Sequence, residues 1–306
     1  MIDVYVYGMI SPSLAHVLRQ DFSFPKANGY AEIERTLPSI GGEAANSAIA
    51  LARLGLSVKL DGNWLNVAAA DRVAGTLAGY GIDVSRLSRT EDLGTDEVVI
   101  ADGESRTVFG NYAAFHSGPR QWNEPQAGDV AAASVVCLDP YFRDQSRRAA
   151  ELCVKHGKPY VTLDSRHEDF VARHASIVAV SHEVRDQAYA GRDLRRVFDD
   201  YLAACDGLVI FTFGGGELWY GRRGGSLTTR QPYRIEPIDT TGAGDAFRGA
   251  LAYGLLKGWA DEQTIDFASA VAACVCLTMP HALDAPSLEE VTAFMERQGS
   301  ARDRRD

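Results

Sequence analysis

The stretch Asp239-Thr240-Thr241-Gly242-Ala243-Gly244-Asp245-Ala246-Phe247-Arg248-Gly249-Ala250 decides how this sequence is read. Gly242 and Gly244 let the chain turn tightly and let a ligand approach the backbone without meeting a Cβ. Behind them, residues 246–256 carry Phe247, Leu251, Leu255 and Leu256 at roughly helical spacing, which places the glycines at a helix N-terminus. Unpaired N–H groups and the positive end of the helix dipole make such a terminus attractive to phosphate. Asp245, in the first turn, is then either a cap that complements the dipole or a reactive group held beside the phosphate. The loop by itself leaves both readings open.

Working outward, 306 residues can bury a substantial core in one large α/β domain or two small ones. The net charge of −10, with no basic cluster, excludes nucleic acid as the main partner. Cys137, Cys153, Cys205, Cys274 and Cys276 lack metal-ligand spacing and read as reduced, mostly buried thiols of a cytoplasmic protein. Met1-Ile2-Asp3-Val4-Tyr5 lacks a basic signal-peptide region, and no apolar run reaches the ~18 residues of a membrane span. A cytosolic chain without a membrane partner is the expectation. The charged tail 301–306 is expected to fray.

Residues 2–7 form an apolar, β-branched and aromatic run ending at Gly8, as for a buried strand opening into a loop. Open α/β sheets bind ligands at that edge. Residues 22–37 are less regular, with Pro25, Asn28 and Gly29 making a turn between two short strands. Gly41-Gly42 then opens a small-residue helix that stops at Gly55. Close packing on a sheet explains its alanines; the glycine pair and Asn46 fit a ligand-binding segment equally well.

Residues 58–60 suggest a strand and 68–80 a helix, while 82–84 open another element. Residues 97–101 and 107–109 make a hairpin around Asp102-Gly103-Glu104. From residue 130, apolar runs at 134–138, 160–163, 176–180 and 208–213 alternate with helical stretches such as 147–156 and 194–204. That alternation predicts a largely parallel sheet with helices on both faces. Segments 217–220 and 227–233 suggest a hairpin, and 265–277 and 288–295 two final helices. With no repeat or long linker, one domain over 1–306 is expected, carrying a small lid sheet from roughly 12–38 and 95–115 that excludes water.

The pairing of a Gly-Gly-x-x-x-Asn helix at residue 41 with the Asp-Thr-x-Gly-Ala-Gly-Asp-x-Phe-x-Gly loop at 239 resembles the ribokinase or PfkB family of carbohydrate kinases. The resemblance spans nearly the whole chain. It implies a ribokinase-like three-layer α/β sandwich and Mg²⁺-assisted transfer of the ATP γ-phosphate to a hydroxyl of a sugar-like acceptor. By that resemblance Asp245 is the base, and Gly242, Ala243 and Gly244 form the anion hole. Helix amides and one positioned carboxylate suit phosphoryl transfer, which depends mostly on positioning and charge stabilisation. Gly41, Gly42 and Asn46 match the sugar-contacting segment, and Thr212, Gly214 and Gly216 the stretch beside the nucleotide. Thr240 and Asp239 open the loop motif and bear on phosphate or cation contacts.

Three positions depart from the family pattern. The acidic sugar ligand expected five residues after Gly8 is Ser13, whose hydroxyl cannot make a carboxylate's charge-assisted bonds. The expected Asn-x-x-Glu element reads Ser181-His182-Glu183-Val184, which leaves Asp164, Glu183 and Asp239 as weak metal candidates. Asn63-Trp64-Leu65-Asn66 replaces a Gly-x-Asp element, with Trp64 either core or pocket wall. Arg106 on the lid either binds an anionic substrate group or is a solvated surface residue. Within the same fold, a nucleoside kinase would need an aromatic sandwich, for which Tyr5, Tyr7, Tyr112 and Phe115 are available. A non-catalytic ligand-binding relative is the remaining alternative. A homodimer through the lid edge is a further expectation.

Overall fold

The computed structural model describes residues 2–102 and 106–302. Strand β1 (Ile2–Gly8) leads into β2 (Ser11–Leu18) and β3 (Ile33–Gly41), and helix α1 (Glu43–Arg53) returns to β4 (Val58–Gly62). Short β5 (Leu65–Asn66), α2 (Val67–Gly79) and short β6 (Arg89–Thr90) precede β7 (Glu97–Ala101) and β8 (Arg106–Gly110). Then come α3 (Tyr112–Ser117), α4 (Ala127–Ala132), β9 (Ala133–Leu138), α5 (Asp144–Lys155), β10 (Tyr160–Leu163), α6 (Phe170–Arg173) and β11 (Ile177–Val180). The chain continues through α7 (His182–Ala188), α8 (Leu194–Ala204), β12 (Leu208–Phe211), β13 (Leu218–Gly221) and β14 (Thr228–Arg230). It closes with α9 (Ala243–Lys257), α10 (Asp261–Cys276), a 3-10 turn (His281–Asp284) and α11 (Leu288–Arg302).

The main sheet has eight strands in the order β14-β13-β12-β11-β10-β9-β1-β4. Its six strands from β4 to β12 run parallel, and β13 and β14 add an antiparallel edge. Parallel strands must be covered on both faces, and the alternation along β1 shows how. Val4 and Val6 join the apolar cluster of α1, α9 and α10, whereas Tyr5 and Tyr7 join the cluster of α5 and α8 on the opposite face. The chain leaves β1 for β4 on one side and later returns to β9 on the other. The strand order therefore reverses between β1 and β9, and ligands of open α/β sheets bind at the carboxyl ends of such a switch point.

A second, four-stranded sheet has the order β3-β2-β7-β8. The turn read at Pro25, Asn28 and Gly29 is present, with Asn28 at φ 63°. Its flanking strands, however, are β2 and β3, set further apart than expected, and Ser13 lies inside a strand. The hairpin expected around residue 102 is β7–β8, although Gly103 and Glu104 lie outside the described residues, as does tail segment 303–306. Residues 82–84 form no strand; Asp83 makes a single bridge to Lys59.

Candidate active site

The site is assembled where three backbone ends meet: β1 at Met9, β9 at Asp139 and the N-terminus of α1. The Met9 amide donates to Asp139 Oδ2 at 2.7 Å, and the Met9 carbonyl accepts from Ala44 and Ala45 at 3.1 and 3.3 Å. Gly42 takes φ 88° to enter the helix, and a Cβ there would stand 2.5 Å from the Met9 carbonyl oxygen. Gly42 is thus required by close backbone approach as well as by its left-handed conformation.

Helix α9 packs so closely on α1 that a Cβ on Gly249 would lie 3.0 Å from the Ser47 carbonyl. Across this contact Asn46 Nδ2 donates to Asp245 Oδ2 at 2.8 Å, and Ser47 Oγ donates to the Asp245 carbonyl at 2.7 Å. Arg248, fully buried, donates through Nε and Nη2 to Ser47 Oγ at 3.0 and 2.9 Å, and to the Glu43 carbonyl at 2.7 Å. Its Nη1 pairs with Asp139, which is also fully buried. The two helices are thereby locked in one register.

Gly242 caps α9 at φ 75°, and Gly244 is exposed in the first turn. The Ala243 amide donates to the Thr240 carbonyl at 3.3 Å, so the turn itself already engages one of the three loop amides. Asp239 Oδ1 accepts from the Thr241 amide at 2.9 Å and holds the loop's entry. Burial, the largest cause, pushes the Asp245 carboxyl up to about 6, against the opposing pull of Arg248 and the Asn46 hydrogen bond. Glu43 is also pushed well up by burial and by the charges of Asp139 and Asp245. Three carboxylates, Glu43, Asp139 and Asp245, and one buried guanidinium thus share a small region, in which Asp245 is the one in the first turn of α9.

Asp164 directly follows β10 at φ 57°, accepting from the Ser181 amide at 2.6 Å and the Ser181 hydroxyl at 3.1 Å. Burial raises it to about 6, and the charges of Asp245 and Glu183 add to the shift. Ser181 therefore stands as a positioner of Asp164, while Glu183 is exposed. Among the described residues no group of three His, Cys, Asp or Glu side chains could cage a metal. Mg²⁺ needs only one or two carboxylates when substrate phosphates and waters complete its shell, so the donor set fits a cation carried in on a nucleotide. Thr212 follows β12 at the same sheet edge, its amide donating to the Val180 carbonyl at 3.0 Å. Gly214, Gly215 and Gly216 beyond it are exposed, with Gly214 at φ 60°.

Arg106 is partly buried at the start of β8, and its charge acts to lower the carboxyl of Asp245 as the smallest of the influences on it. Tyr5 and Tyr7 do not: both are fully buried with hydroxyls donating to Asp61 at 2.8 Å and to the Asn123 carbonyl at 2.6 Å. Phe115 packs on Trp122. Trp64 is half-buried and donates to Asn123 at 2.8 Å, while Asn63 is fully buried and clamps Ile10 through both its backbone groups at 2.7 and 2.9 Å. The aromatic sandwich of a nucleoside site is not built from these residues. Asp139, Arg248 and Glu97 escaped the sequence reading; an acid directly after the apolar run 134–138 was the available signal for the first.

This fold and site place the chain among the carbohydrate kinases. It belongs to the pfkB family, which it matches over residues 20–287, and it is a sugar kinase, a phosphotransferase with an alcohol acceptor. It is 24% identical over 287 residues to a 5-dehydro-2-deoxygluconokinase of Clostridium perfringens, covering 85% of this chain and 84% of that one. It is also 25% identical over 280 residues to the 1-phosphofructokinase of Escherichia coli K12, covering 84% and 86%. Among solved structures, the ribokinase of Arabidopsis thaliana complexed with ribose and ATP superposes with a TM-score of 0.77 at 19% identity, over 97% of this chain and 99% of that one. A ribokinase from Thermotoga maritima gives 0.77 at 15% identity, over 97% and 100%. The ribokinase-like three-layer sandwich is therefore the fold.

Proposed function

We propose that the chain, acting as one domain over 1–306, transfers the γ-phosphoryl group of ATP to a hydroxyl of a sugar or sugar-like acceptor, with Asp245 as the base. Asp245 takes the acceptor's proton as the new O–P bond forms and the bond from the γ-phosphorus to ADP breaks. The observation that carries this reading is the Asp245 carboxylate, fixed by Asn46 in the first turn of α9 and raised to about 6 by its surroundings. A base poised there is ionised at neutral pH and still basic enough to accept a proton in the transition state.

Gly242 and Gly244 receive the transferring group on backbone amides, with Ala243, whose amide is held by the Thr240 carbonyl, shaping the turn between them, and Gly41, Gly42, Asn46 and Ser13 meet the acceptor. Support for the latter is the Asn46 Oδ1 atom, which is buried with no hydrogen-bond partner, an acceptor kept for a ligand donor. Thr212, Gly214, Gly216 and Thr240 flank the nucleotide, the exposure of Gly214, Gly216 and Thr240 supporting access. Arg106 balances negative charge at the reacting centre. Asp164 would help hold a phosphate-bound Mg²⁺, which would supply positive charge against the phosphates; Asp239 and Glu183 are less suited because one accepts within its own turn and the other is exposed.

The second sheet acts as the lid. Its outer row, Pro38, Leu14, Val98 and Phe109, leaves Leu14 38% and Phe109 51% exposed, which supports pairing of two lids in a homodimer. Sedimentation should then give twice the chain mass, and a Phe109→Asp variant the chain mass. A cytoplasmic location agrees with the three fully buried thiols Cys137, Cys153 and Cys205 and with the absence of any membrane-length apolar helix among the described residues. The functional test is an acceptor screen over sugars, sugar acids and nucleosides that follows ADP formation and confirms the phosphorylated product. Turnover of a sugar-class member is expected; ATP binding without turnover of any of them would overturn the proposal.

A further inference from the structure

The lid sheet is polar on the face where a sheet closing over a core would be apolar. Ser13 stands opposite Ser39 on β3 and beside Glu97 on β7, and Ser11 stands opposite Gly41. Residues two apart on a strand share a face, so Ser11, Ser13, Ser39, Gly41 and Glu97 form one surface. The hydroxyls of Ser11, Ser13 and Ser39 are buried, at 0%, 1% and 1% exposure; that of Ser11 lies within reach of the Tyr112 hydroxyl, and those of Ser13 and Ser39 are without a hydrogen-bond partner. Buried polar groups are almost always satisfied, and two orphans on one face mark a surface made for a polar ligand.

Glu97 dominates that surface. It is only 6% exposed, and Oε2 accepts a hydrogen bond from the Tyr112 hydroxyl. Its Oε1 leans over Gly41, where a Cβ would stand 2.0 Å away. Gly41 therefore makes room for a carboxylate. The described partner of Glu97 is a phenol, not a cation, so its charge calls for further donors. Asn46 adds a buried, unpartnered acceptor, Oδ1.

We propose that Glu97 is the specificity-determining residue of the acceptor site, accepting hydrogen bonds from hydroxyls of an uncharged polyol end of the sugar and excluding acceptors that carry a carboxylate or phosphate at that end. The inference rests on the kinase reading above. Glu97 provides from β7 the charged acceptor that Ser13, its neighbour on β2, cannot. Arg106 does not cancel it: Arg106 pairs with Ala101, four residues along β7 from Glu97, a separation of about 13 Å along the strand. Tyr112 acts as a positioning residue that fixes the carboxylate by its hydroxyl.

The test compares wild type with Glu97→Gln, which keeps the size of the side chain and an oxygen for Tyr112. The panel holds neutral pentoses and hexoses, aldonates, and sugar monophosphates. Hydrogen bonds to a charged group contribute enough that their weakening should raise KM for the preferred neutral sugar about 10–100-fold. KM for ATP and the melting temperature should stay close to wild type. Preference for neutral over acidic acceptors should narrow by a similar factor, and Tyr112→Phe should shift both in the same direction by less.

An unchanged acceptor KM and unchanged neutral-to-acid preference in Glu97→Gln would overturn the assignment while leaving the kinase reading intact. Should wild type turn over no panel member, the kinase reading falls, and calorimetric titration of the same sugars into both proteins decides Glu97 by itself. Tighter binding of a neutral sugar to wild type supports the assignment. Equal affinities, or no binding, overturn it.

Discussion

Replacing Arg248 by Met tests whether the buried ion pair organises the site. In the native protein both Arg248 and Asp139 are at 0% side-chain exposure, and the guanidinium also serves Ser47 and the Glu43 carbonyl. Met approximates the volume of the stem but leaves Asp139 as a buried carboxylate whose described remaining partner is the Met9 amide. Removing one member of a buried pair costs about 3–5 kcal/mol, because the other charge is left uncompensated. Urea unfolding followed by circular dichroism should show that loss. The double variant Arg248→Met with Asp139→Asn should lose less than the sum of the single variants by about 2 kcal/mol, since the orphan charge is gone and the amide still accepts from Met9. Because Arg248 also holds α1 against α9, acceptor KM should rise in the single variant. A stability loss below about 1 kcal/mol, or strict additivity in the double variant, would refute the account of how α1 and α9 are locked.

Gly42→Ala should destabilise the protein by about 1–3 kcal/mol, seen as a lowered melting temperature, since residue 42 needs φ 88° and its Cβ would meet the Met9 carbonyl. With Asp245 at about 6, kcat/KM should rise with pH up to about 6 and level off above it. The same raised value makes the ionised Asp245 a native-state cost: below the unfolded value near 4 nothing is lost, between about 4 and 6 stability falls as pH rises, and above 6 the loss is complete. Asp245→Asn should therefore raise the melting temperature at pH 8 relative to wild type and leave it nearly unchanged at pH 4. Asp164→Asn should raise KM for ATP and the Mg²⁺ requirement, measured in steady-state assays, if that side chain helps hold the cation.

Much of the scaffold was legible because its apolar periods are simple. The strands 160–163 and 208–213 and the helix 194–204 show clear buried runs, and β10, β12 and α8 lie where those runs predict, although β12 stops at Phe211. Strand β2 was illegible because Ser11 and Ser13 break the apolar alternation on one face and Pro12 interrupts the run between them. Short helices α3, α4, α6 and α7 span four to seven residues, too few for a helical period to show. In the site, Asn46 and Asp245 meet across 199 positions of sequence, as the paired motifs implied. Glu97 was hidden at the first position of an apolar strand, where an acid passes for a solvated end. Only the register with Ser13 and the hollow at Gly41 reveal that it faces inward.

The central claim is that Asp245, held by Asn46 at the start of α9, removes the acceptor's proton. Turnover of the best acceptor by wild type and by Asp245→Asn, followed as ADP formation together with phosphorylated product, tests it most directly. The account predicts that the variant folds, binds acceptor and nucleotide, and loses kcat by about 10²–10⁴-fold, the scale of general base catalysis. Turnover by Asp245→Asn at the wild-type rate would contradict it.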